Sequence, residues 1–155
     1  MLHADVSDRI INAALKVHTA LGAGLLESTY SACLLHEFTL SNLQFQHQVR
    51  LPVVYRGCTL DAGYRIDFLV ENCVIVELKA VETLIPLHTA QLITHRKLSG
   101  LAVGLLINVN VPHLRDGLTR VANGYEVPKE KELPSASSVS SAVESLPAIG
   151  DVNQT

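Results

Sequence analysis

The chain has 155 residues, of which 48% are apolar, and its 12 basic and 15 acidic residues leave a formal charge of −3. This length and composition predict one folded domain with its own core and exclude a disordered chain. The charge lacks the basic excess of many nucleic-acid-binding proteins. The three cysteines lack the spacing of a structural zinc site. We expect no membrane span and no signal peptide, and therefore a cytoplasmic protein.

Helical spacing of apolar residues predicts a first helix over about residues 5–21, ended by Gly22, and a second over about residues 25–39. The extended segment that follows ends in a predicted Arg56-Gly57 turn. The stretches "TLDAGYRIDFLV" and "CVIVELKA" then predict two neighbouring strands.

A third helix is predicted from near Pro86 to about Leu98, and "LAVGLLINV" reads as a last buried strand. The order is therefore helix, helix, three strands, helix, strand. We predict a folded domain over residues 1–127 and a disordered tail over residues 128–155, which are rich in Ser, Pro and Glu.

Charged residues interrupt the two apolar strands at Asp67, Glu77 and Lys79. Because strand side chains alternate, Glu77 and Lys79 share one face, and Asp67 is expected on the face opposite Ile66, Phe68 and Val70. In one interpretation, Glu77 and Lys79 mark a strand end that reaches water, where they form a salt bridge.

The length of the connecting loop decides whether the two acids meet. A two-residue loop places Asp67 opposite Val76, whereas a three-residue loop over residues 71–73 places it opposite Glu77. Facing carboxylates repel each other unless a cation joins them. The three-residue loop therefore predicts a cation site.

Such a carboxylate pair suits Mg²⁺, which binds oxygen ligands and keeps several waters. The backbone carbonyl of Leu78 is a candidate third ligand. Lys79 would stabilise an anionic transition state or help to deprotonate the attacking water. The expected reaction is metal-assisted attack of water on a phosphodiester.

Other polar residues are weaker candidates. Glu27, in "GLLESTY", lies at the edge of the apolar stripe of its helix, although acids there more often compensate the helix dipole. Gln91 shares one helical face with His88 and His95, although a helical Gln is usually solvated. Tyr30 and His88 are expected in the core or beside the site, with substrate contact as the alternative.

The segments "GLLESTY", "YRIDFLV", "VELKA", "PLHTAQL" and "VGLLINV", in this order, resemble the GxxExxY proteins of the PD-(D/E)XK nuclease-like superfamily. The resemblance runs over about residues 8–120. It implies an α/β fold with a restriction-endonuclease-like core, in which helices flank a mixed central sheet of about four strands.

Carried over residue by residue, Asp67 and Glu77 resemble the metal-binding acids of the superfamily, and Lys79 resembles its catalytic lysine. Gln91 resembles a glutamine that some members add, and Glu27 resembles the acid contributed before the sheet. The implied cofactor is Mg²⁺ or Mn²⁺. The chain departs from the family at "LITHRK", where Thr94, His95 and Arg96 replace Asn, Tyr and Leu. Arg96 would either disturb the packing of this helix or contact a phosphate.

The leading hypothesis is a metal-dependent nuclease acting on DNA or RNA, with a homodimer as a further possibility. The alternatives are a non-catalytic module that binds protein or ligand, and a phosphohydrolase acting on a small nucleotide. A cationic stripe near the acids would favour the nuclease, and scattered cations would favour the binding module. The candidates for that stripe are Arg50, Arg56, Arg65, Arg96, Lys97, Arg115 and Arg120.

Overall fold

The computed structural model describes residues 2–123, so the predicted tail at residues 128–155 lies outside the described part. Three helices are present in residues 2–123: α1 (Ala4–Leu21), α2 (Glu27–Leu40) and α3 (Pro86–Ser99). The strands in the same range are β1 (Phe45–Arg50), β2 (Val53–Tyr55), β3 (Cys58–Leu60), β4 (Arg65–Val70), β5 (Val74–Lys79), β6 (Val103–Asn108) and β7 (Leu118–Ala122). A short 3-10 helix, Leu114–Gly117, precedes β7.

A mixed sheet is the centre of the fold, with five strands in the order β1-β4-β5-β6-β7 within residues 2–123. Strands β5 and β6 run parallel, and the other neighbouring pairs run antiparallel. Helix α3 provides the crossover that a parallel pair requires. The α/β restriction-endonuclease-like class predicted from the sequence is confirmed, with one strand more than the predicted four.

The additional strand, β7, lies at the edge of the sheet and is only partly buried. Thr119 and Arg120 interrupt its short apolar pattern. A short edge strand of this kind has no strong alternation, so the sequence did not predict it.

The two faces of the sheet bury different cores. Helices α1 and α2 cover the larger core, which includes Tyr30 and Phe38 of α2 and Val76 and Leu78 of β5. Helix α3 covers a smaller core that includes Leu92. A Cβ added to Gly104 of β6 would lie 2.6 Å from Leu92 Cδ1. The missing side chain therefore lets α3 pack close to the sheet.

The helices are too short or too polar to cross a lipid bilayer, as far as residues 2–123 are concerned.

Candidate active site

The connection between β4 and β5 brings two acids together. Val70 pairs with Val74 and Phe68 with Val76, so the loop has three residues and Asp67 falls opposite Glu77. Glu71 and Asn72 in this loop adopt left-handed conformations, with φ of 50° and 53°. The three-residue loop is therefore confirmed, and the two-residue alternative was wrong.

Backbone pairing between β4 and β5 gives way to a side-chain contact beside these acids. The Leu78 N–H donates to Asp67 Oδ2 at 2.8 Å. The Lys79 carbonyl accepts from the Val109 N–H at 2.8 Å, on the β6 side. Because successive carbonyls of a strand point to opposite edges, the Leu78 carbonyl points toward β4 and Asp67.

Asp67 is held from its other side by Gln48 of β1, whose Nε2 donates to Asp67 Oδ1 at 3.3 Å. Gln48 has a φ of 54°, which is uncommon for a residue other than glycine. The two neighbours of Asp67 in β4 lie on different faces of the sheet. Ile66 belongs to the smaller core under α3, and Phe68 belongs to the larger core under α1 and α2. The predicted shared face of Ile66 and Phe68 was therefore wrong, because the alternation changes where Gln48 opposes Asp67.

Glu77 is buried, with 6% of its surface exposed. Its Oε1 lies 2.5 Å from His95 Nδ1 of α3, so the two groups share a hydrogen bond. Burial raises the pKa of Glu77, the nearby Asp67 charge raises it further, and the bond to His95 opposes both effects. Burial therefore favours the protonated form of Glu77, which is also a candidate metal ligand.

These side chains open into a cleft of about 240 Å³ between the sheet and α3. Seven of the residues singled out from the sequence line it, and two others complete it. The lining residues are Gly63, Tyr64, Arg65, Asp67, Glu77, Lys79, His88, Gln91 and His95.

Helix α3 contributes three of these residues because His88, Gln91 and His95 repeat at helical spacing. Their predicted common face is confirmed by the cleft that all three line. Pro86 is the first residue of the helix, and His88 Nδ1 accepts from the Ile85 N–H at 3.2 Å. His88 therefore also stabilises the start of α3.

A comparison with protein families matches residues 4–121 to the PD-(D/E)XK nuclease superfamily. The chain belongs to this superfamily. The matched range includes every residue of the cleft. The narrower assignment to the GxxExxY proteins stays a prediction. Comparisons with curated proteins and with solved structures found no significant match.

Three residues that the sequence made candidates for the site do not line the cleft. Glu27 is exposed as the first residue of α2 and does not line the cleft. Tyr30 is fully buried and donates from its hydroxyl to the Ala14 carbonyl at 2.9 Å, and its burial raises its pKa. Arg96 is buried at β7, where it donates to the Ala122 carbonyl at 3.1 Å and to Asn123 Oδ1 at 2.7 Å. Arg96 thus holds the end of β7 rather than facing the cleft.

The cations that would form a stripe are divided. Arg65 lines the cleft, and Arg50 and Arg56 lie on the segment that leads to it. Arg115 lines a different cavity beside α1, and Arg120 donates to the Leu2 carbonyl. Of the seven candidates, Arg65 lines the cleft with the acids, whereas Arg96, Arg115 and Arg120 make their contacts away from it.

Sequence reasoning did not assign a site role to Tyr64 or Gln48, and it treated Arg65 only as a cation. Strand alternation predicts one face for Arg65 and Asp67, and both side chains line the cleft. Gln48 carried no local signal, because its contact with Asp67 depends on the β1–β4 register and on its unusual φ.

The donors available for a metal ion are few. Within residues 2–123, no group of three or more His, Cys, Asp or Glu side chains is arranged to hold a metal. Asp67 and Glu77, with the Leu78 carbonyl, provide oxygen donors only. This set fits a hard ion such as Mg²⁺ that keeps water as most of its ligands, and Mn²⁺ accepts the same donors.

Proposed function

We propose that the protein is a metal-dependent nuclease that hydrolyses phosphodiester bonds in DNA or RNA. The observation that carries this proposal is the meeting of Asp67, Glu77 and Lys79 in one cleft. Membership of the PD-(D/E)XK nuclease superfamily supports the same reaction class.

Asp67, Glu77 and the Leu78 carbonyl would hold Mg²⁺ or Mn²⁺. When bound, such an ion polarises a phosphoryl oxygen and makes a water molecule more acidic. The bond to His95 keeps the Glu77 carboxylate in one orientation, and the Leu78 N–H and Gln48 do the same for Asp67. The ligands are thereby positioned before any ion arrives.

Basic and amide side chains of the cleft would bind the phosphate group of the substrate. Lys79 is half-buried on the same face as Glu77, where an ammonium stabilises the negative charge that develops on the phosphoryl group. Arg65 can bind a phosphate through two parallel hydrogen bonds. Gln91, on α3, can donate a hydrogen bond to the phosphate or orient the water.

The dispersed cations favour a second candidate function. Arg115 and Arg120 contribute no charge to the cleft, and a cleft of about 240 Å³ is small. Both observations suit a domain that binds a small nucleotide or another protein without cutting a polymer.

Calorimetric titration of Mg²⁺ and Mn²⁺ tests the proposal, together with cleavage of single- and double-stranded DNA and RNA. The wild type is compared with Asp67→Asn and Glu77→Gln, and the exposed Asp116→Asn serves as the matched control. We expect the wild type and Asp116→Asn to bind metal and cleave, and both site variants to lose both properties. Metal binding without cleavage would favour the second candidate. A wild type that binds neither ion at millimolar concentration would refute the nuclease.

A further inference from the structure

A hairpin arm extends from the main sheet beside the cleft. We use this name for residues 51–64, which contain β2, β3 and the turn between them. Within residues 2–123, β2 and β3 form a sheet of their own. The turn is Arg56-Gly57, as predicted, with φ of 47° and 78°.

The arm exposes several large apolar side chains to solvent. Every residue from 54 to 65 is exposed, although Tyr55 and Leu60 are large apolar side chains at 62% and 48% exposure. The register pairs Val53 with Leu60 and Tyr55 with Cys58, so these four side chains share one face. A two-stranded hairpin is marginally stable alone, and an exposed apolar face marks an interaction site.

The arm and the residues that flank it are rich in arginine. Residues 50–65 contain Arg50, Arg56 and Arg65 but one acid, Asp61, so their charge is +2 in a chain with −3. The Asp61 carboxylate is occupied by Arg50 at 3.1 Å. The Arg56 guanidinium lies 5.9 Å from the centre of the Tyr55 ring. Aromatic rings and arginine thus occur together on the exposed arm.

The base of the arm forms the rim of the cleft. The Leu51 N–H donates to the Tyr64 carbonyl at 2.9 Å, which joins the two sides of the arm beside β4. Tyr64 and Arg65 both line the cleft, and the Tyr64 ring meets the His95 ring edge-on at 5.9 Å. A strand bound along the arm would therefore lead into the site.

We propose that the hairpin arm binds single-stranded nucleic acid and guides it to the cleft. Tyr55 and Tyr64 would stack on unpaired bases, and Arg56 and Arg65 would contact phosphates. Aromatic stacking requires bases that are not already stacked in a duplex. A local charge of +2 also falls short of the many phosphate contacts of a duplex-binding surface. This inference rests on the proposed phosphodiester chemistry of the cleft.

Binding is measured without metal, so that it is separated from cleavage. Labelled oligothymidylate and oligouridylate of about 16 nucleotides, and a duplex of equal length, are titrated into the full chain in EDTA by fluorescence anisotropy. Tyr55→Ala and Arg56→Ala are the test variants. Leu26→Ala and Arg115→Ala are the controls, because both residues are exposed and lie outside the arm.

We expect Tyr55→Ala to weaken single-strand binding about tenfold or more, while Tyr55→Phe retains it. Arg56→Ala should weaken binding and reduce the slope of log affinity against log salt by about 1. Both controls should bind as the wild type does. Circular dichroism checks that each variant is folded. The two oligonucleotides indicate whether DNA or RNA is preferred.

Equal binding by Tyr55→Ala and wild type would overturn the inference, and so would tighter binding of the duplex than of the single strand. A wild-type dimer that Tyr55→Ala converts to monomer in sedimentation, without any effect on nucleic-acid binding, would assign the arm to self-association and overturn it as well. If metal binding and cleavage fail while arm-dependent binding persists, only the nuclease proposal fails. If cleavage occurs but the arm variants bind normally, only the arm inference fails.

Discussion

The two faces of β5 have different surroundings: one is packed in the larger core, and the other ends in the cleft. On one face, Val74, Val76 and Leu78 are buried in the larger core against α1 and α2. On the other face, Ile75 joins the smaller core and is followed by Glu77 and Lys79 in the cleft. One strand of six residues therefore provides both packing and the proposed chemistry.

This difference shows how the fold can keep a charged site rigid. The apolar face fixes the β5 backbone, because a tightly packed core permits little displacement. The charged face then projects from a central strand instead of a mobile loop. The burial of Glu77 is unfavourable for its ionised form, and the bond to His95 offsets part of this cost.

Lys79→Met tests the charged face and should produce the largest effect. We expect the cleavage rate to fall by about 10²–10⁴-fold, because the group assigned to phosphate charge or to proton transfer is lost. The free energy of unfolding should change by less than about 0.5 kcal/mol, since Lys79 is only half-buried. Initial rates and urea denaturation measure the two quantities. The exposed Lys97→Met is the control, and an equal loss of activity there would remove the special role of Lys79.

Leu78→Ala tests the apolar face one residue away. Leu78 is 1% exposed, so its truncation should lower the free energy of unfolding by about 2–5 kcal/mol. Metal affinity of the folded fraction should stay much closer to wild type than in Glu77→Gln. Urea denaturation and calorimetry at low temperature measure these effects. A stable Leu78→Ala protein without metal affinity would contradict the division of β5 into two functions.

His95→Ala extends the comparison to α3. Loss of the bond to Glu77 should weaken Mn²⁺ binding about 10- to 100-fold, as is typical when the hydrogen-bond partner of a ligand is removed. Calorimetry measures the affinity, and the exposed His36→Ala provides the histidine control. Unchanged affinity would mean that Glu77 is oriented without His95.

Arg96→Met changes the residue next to His95, yet it should affect stability alone. Its guanidinium bonds at the end of β7 are lost, so the free energy of unfolding should fall by about 1–3 kcal/mol. Mn²⁺ affinity should match the wild type. If metal affinity falls as it does in His95→Ala, the assignment of the two residues to separate regions is wrong.

Glu77→Gln tests the buried acid through pH and should produce the smallest effect. The raised pKa means that the protonated form of Glu77 is favoured by folding, and this contribution is complete below the ordinary pKa of 4.5. It is lost as pH rises through the higher pKa of the folded state. In metal-free buffer, wild-type stability should therefore fall relative to Glu77→Gln as pH increases above 4.5.

Urea denaturation over this pH range measures that difference, and the exposed Glu82→Gln is the matched control. Parallel stability curves for wild type and Glu77→Gln would show that the pKa of Glu77 is not raised in the folded protein.

Local patterns were sufficient to predict most elements. The bounds of α1, α2 and α3 were predicted to within about two residues, because helical apolar spacing is read from consecutive residues. The sequence left two lengths open for the β4–β5 loop. The structure has the three-residue loop, in which Glu71 and Asn72 adopt left-handed conformations. Strand β7 was missed because its pattern is weak at the sheet edge.

The sequence by itself determined that Glu77 and Lys79 share a strand face, and that His88, Gln91 and His95 share a helix face, because both periodicities are local properties of the backbone. Tertiary structure alone decided which faces meet. The packing of Leu92 over Gly104 brings α3 near β5, where His95 reaches Glu77 while its neighbour Arg96 reaches β7. Such contacts join residues that are distant along the chain, so no local pattern specifies them.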